Sequence, residues 1–562
     1  MKVVDFFCGA GGFSEGFRQA GFDVILAVDH WEPAVITHRE NHPDCKTIKD
    51  DVIRIAYLDD DEFHSLVPDS EIIIGSPPCV AFSNSNKSGK GDKQLGLKLL
   101  TSYLRIIARK QMKKGSILKY WILENVPNLE KYIKEIYTAS DLGLEGDFEL
   151  KIPNANIYNS KEYGVAQNRK RFICGNYIHP EPTNNPNEVI PLKHILKCLG
   201  TPMAKNNSIV IDPNYEGLNM PSVELTDHHY LKEIAEFEWK KAKISKTDKG
   251  YMGKMPFPEN VDNPSRTIMA TLSYSSRESI IYKLENKKDR YRTPTIREVA
   301  SIMSFPIDYK FYGNSMMTKY KLVGNAVTPK LSYSFAAEIA KAENLPIDNN
   351  YKRIKHLNEA KFYNLNVEGI MPINEEKPKN KNSKYKYHIP NLIEKAYRVE
   401  LTNKNSNFEE DQFIWNTEIH KSNGKTAKVY DIEMDFTLFE EVQEGLFEKI
   451  NYWFKGLQNN IVSFNKFQEI YCMTQNQRNQ LVGPDELLVL IKHFLIENSI
   501  SNIGIFISAR QIIKDGEKIE TIIEIPFNIY VGYCLLKVIL EKMKIVDLSK
   551  NDDQQLSLLI LK

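Results

Sequence analysis

A chain of 562 residues that is 42% hydrophobic and 26% charged has the make-up of a soluble globular protein with two to four domains. Its net charge of +1 neither demands nor excludes nucleic acid, because a basic cleft can sit within a balanced total. Seven cysteines, an odd number, widely spread and without a Cys-x-x-Cys pair, argue against a disulfide framework or a zinc site and for a reducing, cytoplasmic home. No apolar run is long enough to span a bilayer, and the opening MKVVDFFCGAGGF is too short and too quickly acidic for a signal peptide.

In chain order, KVVDFF reads as a strand, GFSEGFRQAG as a helix and DVILAVD as a strand; EIIIG is a strand, LGLKLLTSYLRIIARKQM a helix and YWILEN a strand. This alternation predicts a doubly wound, Rossmann-like parallel α/β sheet over residues 1–175. From 176 to 290 the periodicity fades into Pro- and Asn-rich sequence such as HPEPTNNPNEV. The α/β pattern returns over 291–345. There TPTIREVASIM is a helix with Thr295 as N-cap and Glu298 at capping-box spacing, and GNAVTPKLSYSFAAEIAKAE is a turn followed by a helix. The lysine-rich NEEKPKNKNSKYKYHIP marks a linker over 346–390. Residues 391–562 then form a separate α+β domain. In it GPDELLVLIKHFLIEN is a helix with Pro484 near its start, KDGEK a hairpin turn and IETIIEIPF a strand.

DFFCGAGG follows a strand and opens a helix, and Gly9, Gly11 and Gly12 allow a tight turn and close approach to a ligand. Asp29 closes the second strand, where a Rossmann-type site places an acid on ribose hydroxyls. These features also suit a purely structural turn, and the full G-x-G-x-x-G spacing of dinucleotide binders is missing. After the third strand, Asp51 and Val52 could supply an acceptor for an adenine amino group and part of an apolar face.

GSPPCVAFS then presents a thiol, Cys79, on a proline-stiffened loop after the EIII run. YWILENVPN brings Glu124 and Asn125 to the end of a neighbouring strand, where burial should raise the Glu124 pKa. QNRKRF adds Gln167, Arg169 and Arg171 before another strand. Each has a bland reading: an inert cysteine, a solvated glutamate, a charged surface turn. Together, thiol, carboxyl and guanidinium at sheet ends suggest covalent catalysis on a flat, electron-poor ring.

The ordered set DFFCGAGG, GSPPCVAFS, ENV, QNRKR, RTPTIREVASIMSFP and GNAVTPKL resembles the DNA (cytosine-5)-methyltransferases. The resemblance covers residues 3 to about 335. It implies S-adenosylmethionine as cofactor, double-stranded DNA as partner, base flipping and no metal. It assigns Cys79, Glu124, Arg169 and Arg171 to catalysis, and Phe7, Gly9, Gly11, Gly12, Asp29, Asp51, Val52, Pro78, Asn325 and Ala326 to the cofactor. Residues 176–290 correspond to the family's target-recognition region, in which NPSRTIMATLSYSSRES (263–279) offers Arg266, Thr271 and Arg277 to DNA, together with Ser83 and Gln167 outside it. One departure is Val80, where the family commonly has Gln. A restriction-modification role beside a cognate endonuclease, a monomeric state and a cytoplasmic location complete the expectation.

Three other readings are weaker. An amino-group methyltransferase would carry an acid or amide before its two prolines and an aromatic after, where this chain has Ser76 and Cys79. An inactive DNA-binding relative does not explain the intact Cys79, Glu124, Arg169 and Arg171, and a nicotinamide dehydrogenase does not suit the glycine spacing. In 391–562 the best nuclease-like pair, Asp515 with EIP at 524–526, lacks the expected lysine; a DNA-clamping or partner-binding module is the leading expectation there.

Overall fold

The computed structural model describes residues 1–562 except 80–81, 83–91, 184–187, 204–206, 248–253, 285–286, 349, 366–368, 423–427, 501–503, 512–520 and 549–562. The chain divides into two compact units, Met1–Ile234 with Phe257–Ile373, and Ala235–Pro256 with Asn374–Lys562. Among the described residues, no helix is long and apolar enough to cross a membrane.

The first unit is built on β1 (Lys2–Phe6), α1 (Gly12–Gln19), β2 (Asp23–Asp29), α2 (Glu32–Asn41), β3 (Lys46–Lys49), α3 (Val52–Ala56), β4 (Ile72–Gly75), α4 (Lys93–Met112), β5 (Tyr120–Asn125), β6 (Asn154–Asn159) and β7 (Lys170–Asn176). The seven strands lie in the order β3-β2-β1-β4-β5-β7-β6. The first five are parallel, and β7 runs antiparallel to both β5 and β6. Val3, Val4, Phe6, Ile72, Ile73, Ile74, Trp121, Ile122 and Leu123 are all buried. Such near-continuous apolar strands fit a parallel sheet covered on both faces. The strand order reverses between β1 and β4, so their carboxyl ends open the crevice in which doubly wound sheets hold ligands.

The return of the pattern gives α5 (Ile296–Ile302), α6 (Met316–Asn325) and α7 (Pro329–Ala342). Thr295 and Glu298 form the expected capping box at the start of α5. Helix α7 packs on α1 through Ser332, whose Oγ donates to the Phe13 carbonyl at 2.6 Å. The stretch expected as a linker behaves otherwise in its first half. Residues 351–365 form hydrogen bonds along the first unit, and Gly369–Met371 pairs in parallel with Tyr230–Lys232.

The second unit has its own core around a four-stranded antiparallel sheet of Lys386–Glu394, Tyr397–Thr402, Asn416–Lys421 and Lys428–Tyr430. Val399, Leu401, Trp415 and Ile419 on the sheet side pack with Leu488, Ile491, Tyr530 and Leu535 from the helices Pro484–Glu497 and Phe527–Leu548. Helix Glu236–Thr247, from inside the expected 176–290 insert, groups with this unit. Asp515 and the KDGEK turn lie outside the described residues.

Candidate active site

The loop that carries Cys79 is pinned on both sides. At the β1 edge the Ser76 backbone N–H donates to the Phe6 carbonyl at 3.2 Å, and Ser76 Oγ donates to the Phe7 carbonyl at 3.1 Å. At the β5 edge Asn125 Nδ2 donates to the Pro77 carbonyl at 2.9 Å, while Asn125 Oδ1 accepts from the Val126 N–H at 2.8 Å. Phe82 N–H closes a turn on the Cys79 carbonyl at 3.0 Å, and the Phe82 carbonyl accepts from Asn128 Nδ2 at 3.2 Å. The prolines stiffen the loop and the amide of Asn125 fixes its distance from β5. Val80 and Ser83 lie outside the described residues.

Glu124 and Arg171 come from the ends of neighbouring antiparallel strands. Arg171 Nε and Glu124 Oε1 are 2.9 Å apart, with side-chain exposures of 13% and 8%. Arg171 also donates to the Lys170 carbonyl at 2.8 Å. Burial raises the Glu124 pKa above the usual carboxylate range, against the pull of Arg171 and Arg169. Burial likewise pushes the Cys79 thiol up; Arg171 and Arg169 oppose this and Glu124 adds to it. The thiol, the carboxyl and the two guanidiniums therefore share one electrostatic site, as the sequence suggests.

Arg169 is spent inside the first unit. Its guanidinium is buried and donates to the carbonyls of Ile268, Gly324 and Ala326 at 3.1, 3.0 and 3.0 Å. It thus ties β7 to the Ile268 segment and to the turn after α6. Burial, and then Arg171, lower its pKa to about 9, which still leaves it charged at neutral pH. Asn325, exposed at the end of α6, and Ala326 sit on the turn so held.

At the β1 end the backbone is locally strained. Phe7, a residue with a bulky side chain, has φ of 59°, and Gly9 and Gly11 follow at 54° and 90°; such outliers cluster at ligand sites. Gly12 is needed for a different reason: a Cβ there would be driven into the Val327 carbonyl oxygen. That contact brings the first loop and the Asn325–Thr328 turn together, as expected. Tyr309 seals the loop from the other side, its hydroxyl donating to the Ala10 carbonyl.

Asp29 is tied to the first loop: its two carboxylate oxygens accept from the N–H groups of Gly9 and Trp31, at 3.0 and 2.8 Å. Burial raises its pKa, against those same backbone donors. Asp51 is exposed and caps α3, its Oδ1 accepting from Ile53 N–H at 2.8 Å. Val52 is buried, and Pro78 is half-buried beside Cys79. Trp31, two residues past the end of β2, is half-buried, with Lys321 Nζ 4.6 Å from its ring centroid.

Two of the residues expected on DNA are also placed otherwise. Gln167 is buried, its Nε2 on Met303 Sδ at 3.2 Å and its Oε1 accepting from Ile268 N–H at 3.4 Å. Arg266 is spent internally, on both Glu259 oxygens and on the carbonyls of Arg277 and Ser279. The buried Gln167 amide requires local partners, while Arg266 is half-buried. Thr271 is exposed and Arg277 half-buried.

The C-5 cytosine-specific DNA methylase family model matches residues 1–341. The type II methyltransferase M.MthTI of Methanothermobacter thermautotrophicus is 27% identical over 362 residues, spanning 61% of this chain and 97% of its own. The type II methyltransferases M.NgoPII of Neisseria gonorrhoeae and M.FnuDI of Fusobacterium nucleatum are 27% and 28% identical, covering 61% and 60% of this chain and 96% and 94% of theirs. With the thiol, carboxyl and guanidiniums gathered at the sheet's carboxyl edge inside the matched segment, the chain belongs to the C-5 cytosine-specific DNA methylases and is a DNA (cytosine-5-)-methyltransferase.

Proposed function

We propose that the chain methylates C5 of a cytosine turned out of a specific duplex DNA site, through a covalent bond between Cys79 Sγ and cytosine C6, with S-adenosylmethionine as donor. The observation that carries this reading is the buried Glu124–Arg171 pair, 2.9 Å apart, at the strand end to which Asn125 fastens the Cys79 loop. The crevice also suits the donor. A phosphate-bearing cofactor would require the glycine N–H groups, yet Gly9 N–H is already given to Asp29. Trp31 and Pro78 offer apolar surface, backed by the buried Val52, and Asp51 an acceptor, which suits an adenine ring and a sulfonium without phosphates. Phe7, Gly9, Gly11, Gly12, Asp29, Asp51, Val52, Pro78, Asn325 and Ala326 would hold it.

Unactivated C5 of cytosine is a poor nucleophile. Cys79 loses its proton and bonds to C6, which makes C5 electron-rich. Glu124, its pKa raised, shares a proton with N3 as charge develops there. Arg171, held by Glu124 through Nε, directs its remaining N–H groups to O2. When bound, S-adenosylmethionine supplies the electrophilic methyl group for C5. Loss of the C5 proton then lets the Cys79 sulfur leave C6. The base must come out of the stack, since C6 is out of reach inside a duplex.

In the same reading, Ser83, Thr271 and Arg277 contact DNA, the enzyme is monomeric and cytoplasmic, it protects sites from a companion restriction endonuclease, and 391–562 serves as a DNA-clamping or partner-binding module. The test is transfer of a labelled methyl group from S-adenosylmethionine to unmethylated genomic DNA, with base-resolution mapping. The expected product is 5-methylcytosine at one short recurring site. Label on an amino group, or none while DNA is bound, overturns the reading.

A further inference from the structure

Residues 351–365 lie beyond the matched segment 1–341 and form neither helix nor strand. Even so, the stretch is fastened from end to end. At its start the Lys352 carbonyl accepts from Arg18 and Gln19 of α1, and Lys352 N–H donates back to Gln19 Oε1 at 3.1 Å. Asp308 takes the Tyr351 hydroxyl at 2.7 Å and Ile354 N–H at 3.2 Å. Further along, the buried carboxylate of Glu40, on α2, accepts from Glu359 and Ala360 N–H, both at 3.0 Å. At its far end the ammonium of Lys319, on α6, donates to the Tyr363 carbonyl at 2.6 Å and to both oxygens of Asp227 at 2.9 and 2.7 Å. Asp227 in turn accepts from Leu365 N–H at 2.8 Å. The Lys319–Asp227 pair is fully buried.

These anchors belong to different working parts. Arg18, Gln19 and Glu40 are on the helices that frame the first loop. Lys319 is six residues before Asn325 on the same helix, and Asp227 lies within the expected recognition region. We propose that residues 351–365 are a positioning belt, which locks the recognition region to the helix bearing Asn325 so that target base and methyl donor meet in register. The inference rests on the methyltransferase reading above. It makes the belt part of the machine rather than a tether to the second unit. A misplacement of about 1 Å in such an alignment costs on the order of a hundred-fold in rate.

The test uses two variants of the full chain. Glu40→Leu frees the Glu359 and Ala360 N–H groups, which can turn to water. The double variant Lys319→Met with Asp227→Asn removes both buried charges together; asparagine keeps an acceptor for Leu365 and tolerates the Asp227 φ of 58°. Hydrogen exchange over 351–365 reports belt release, with α4 as the internal control for folding. The expected result is faster exchange over 351–365 with α4 still protected, a ten- to hundred-fold lower kcat, and KM for DNA within about two-fold of the parent. Released belts with an unchanged kcat would overturn the proposal. So would loss of α4 protection in both variants, which would make the belt a folding element, or undisturbed exchange in both. If the parent chain transfers no methyl group to C5, the activity reading fails by itself, and the exchange measurements still decide whether these anchors hold the belt.

Discussion

Replacing Glu124 by glutamine changes one buried group and leaves its shape almost intact. The carboxylate it removes sits 2.9 Å from Arg171 Nε and within the field of Arg169. Glutamine cannot pass a proton to N3, so the general-acid contribution is lost, about 10²- to 10⁴-fold, or roughly 3–5 kcal/mol in the barrier at 1.36 kcal/mol per tenfold. The variant also leaves the largely buried Arg171 guanidinium without its counter-charge, at a stability cost of about 3–5 kcal/mol from a total of about 5–15 kcal/mol for a domain of ordinary stability. Single-turnover methyl transfer should therefore be read alongside circular dichroism, at a temperature where the variant is folded, and alongside DNA binding. The prediction is a folded, heat-sensitive protein that binds DNA and transfers methyl groups at least a hundred-fold more slowly. A rate within ten-fold of the parent, with fold and binding intact, would refute the role given to Glu124.

Asp5 is buried in β1 with Ser14 Oγ donating to its Oδ2 at 2.6 Å, and burial raises its pKa from 3.8 to about 8. The folded chain thus holds a proton that the unfolded chain releases, so this contribution is complete below 3.8 and is lost as the pH rises to about 8. His42, lowered by burial from 6.5 to about 3, slopes the other way below 6.5. Between pH 6.5 and 8 the Asp5 effect is on the order of 2 kcal/mol; melting curves should show Asp5→Asn flattening it, and an unchanged slope would exclude Asp5 as its source. Gly12→Ala drives a methyl group into the Val327 carbonyl and should cost about 1–3 kcal/mol, with weaker S-adenosylmethionine binding by calorimetry; unaltered melting and affinity would refute the close approach. Asn125→Ala removes the clamp on Pro77 and should lower kcat about ten-fold, the worth of one buried hydrogen bond, with DNA affinity unchanged; an unchanged kcat would show that the prolines alone fix the loop.

The strands and the main groups proposed for catalysis were legible because the physics behind them is local. EIII and YWIL are apolar enough to be buried on both faces, and the residues that follow them, Cys79 and Glu124, must emerge at the sheet edge. The capping box at Thr295 is likewise a three-residue statement. What the sequence concealed depends on long-range partners. Asp29 is spent on Gly9 and Trp31 N–H, and Arg169 reaches carbonyls 99, 155 and 157 residues away. Arg266 is the exception: its internal partner Glu259 lies only seven residues away, in a stretch whose faded periodicity does not show the two side chains facing each other. The belt read as a linker because its composition is polar; its order comes from Glu40, Asp227 and Lys319, none of which is adjacent in sequence.

The central claim is the bond between Cys79 and the base. A duplex carrying 5-fluorocytosine at the mapped target removes the last step, because fluorine at C5 cannot depart as a proton does. Incubated with this duplex and S-adenosylmethionine, the enzyme should become covalently attached, and mass spectrometry of the digested complex should place the methylated fluoropyrimidine on Cys79. A fully active enzyme that leaves no adduct on Cys79 would contradict the account.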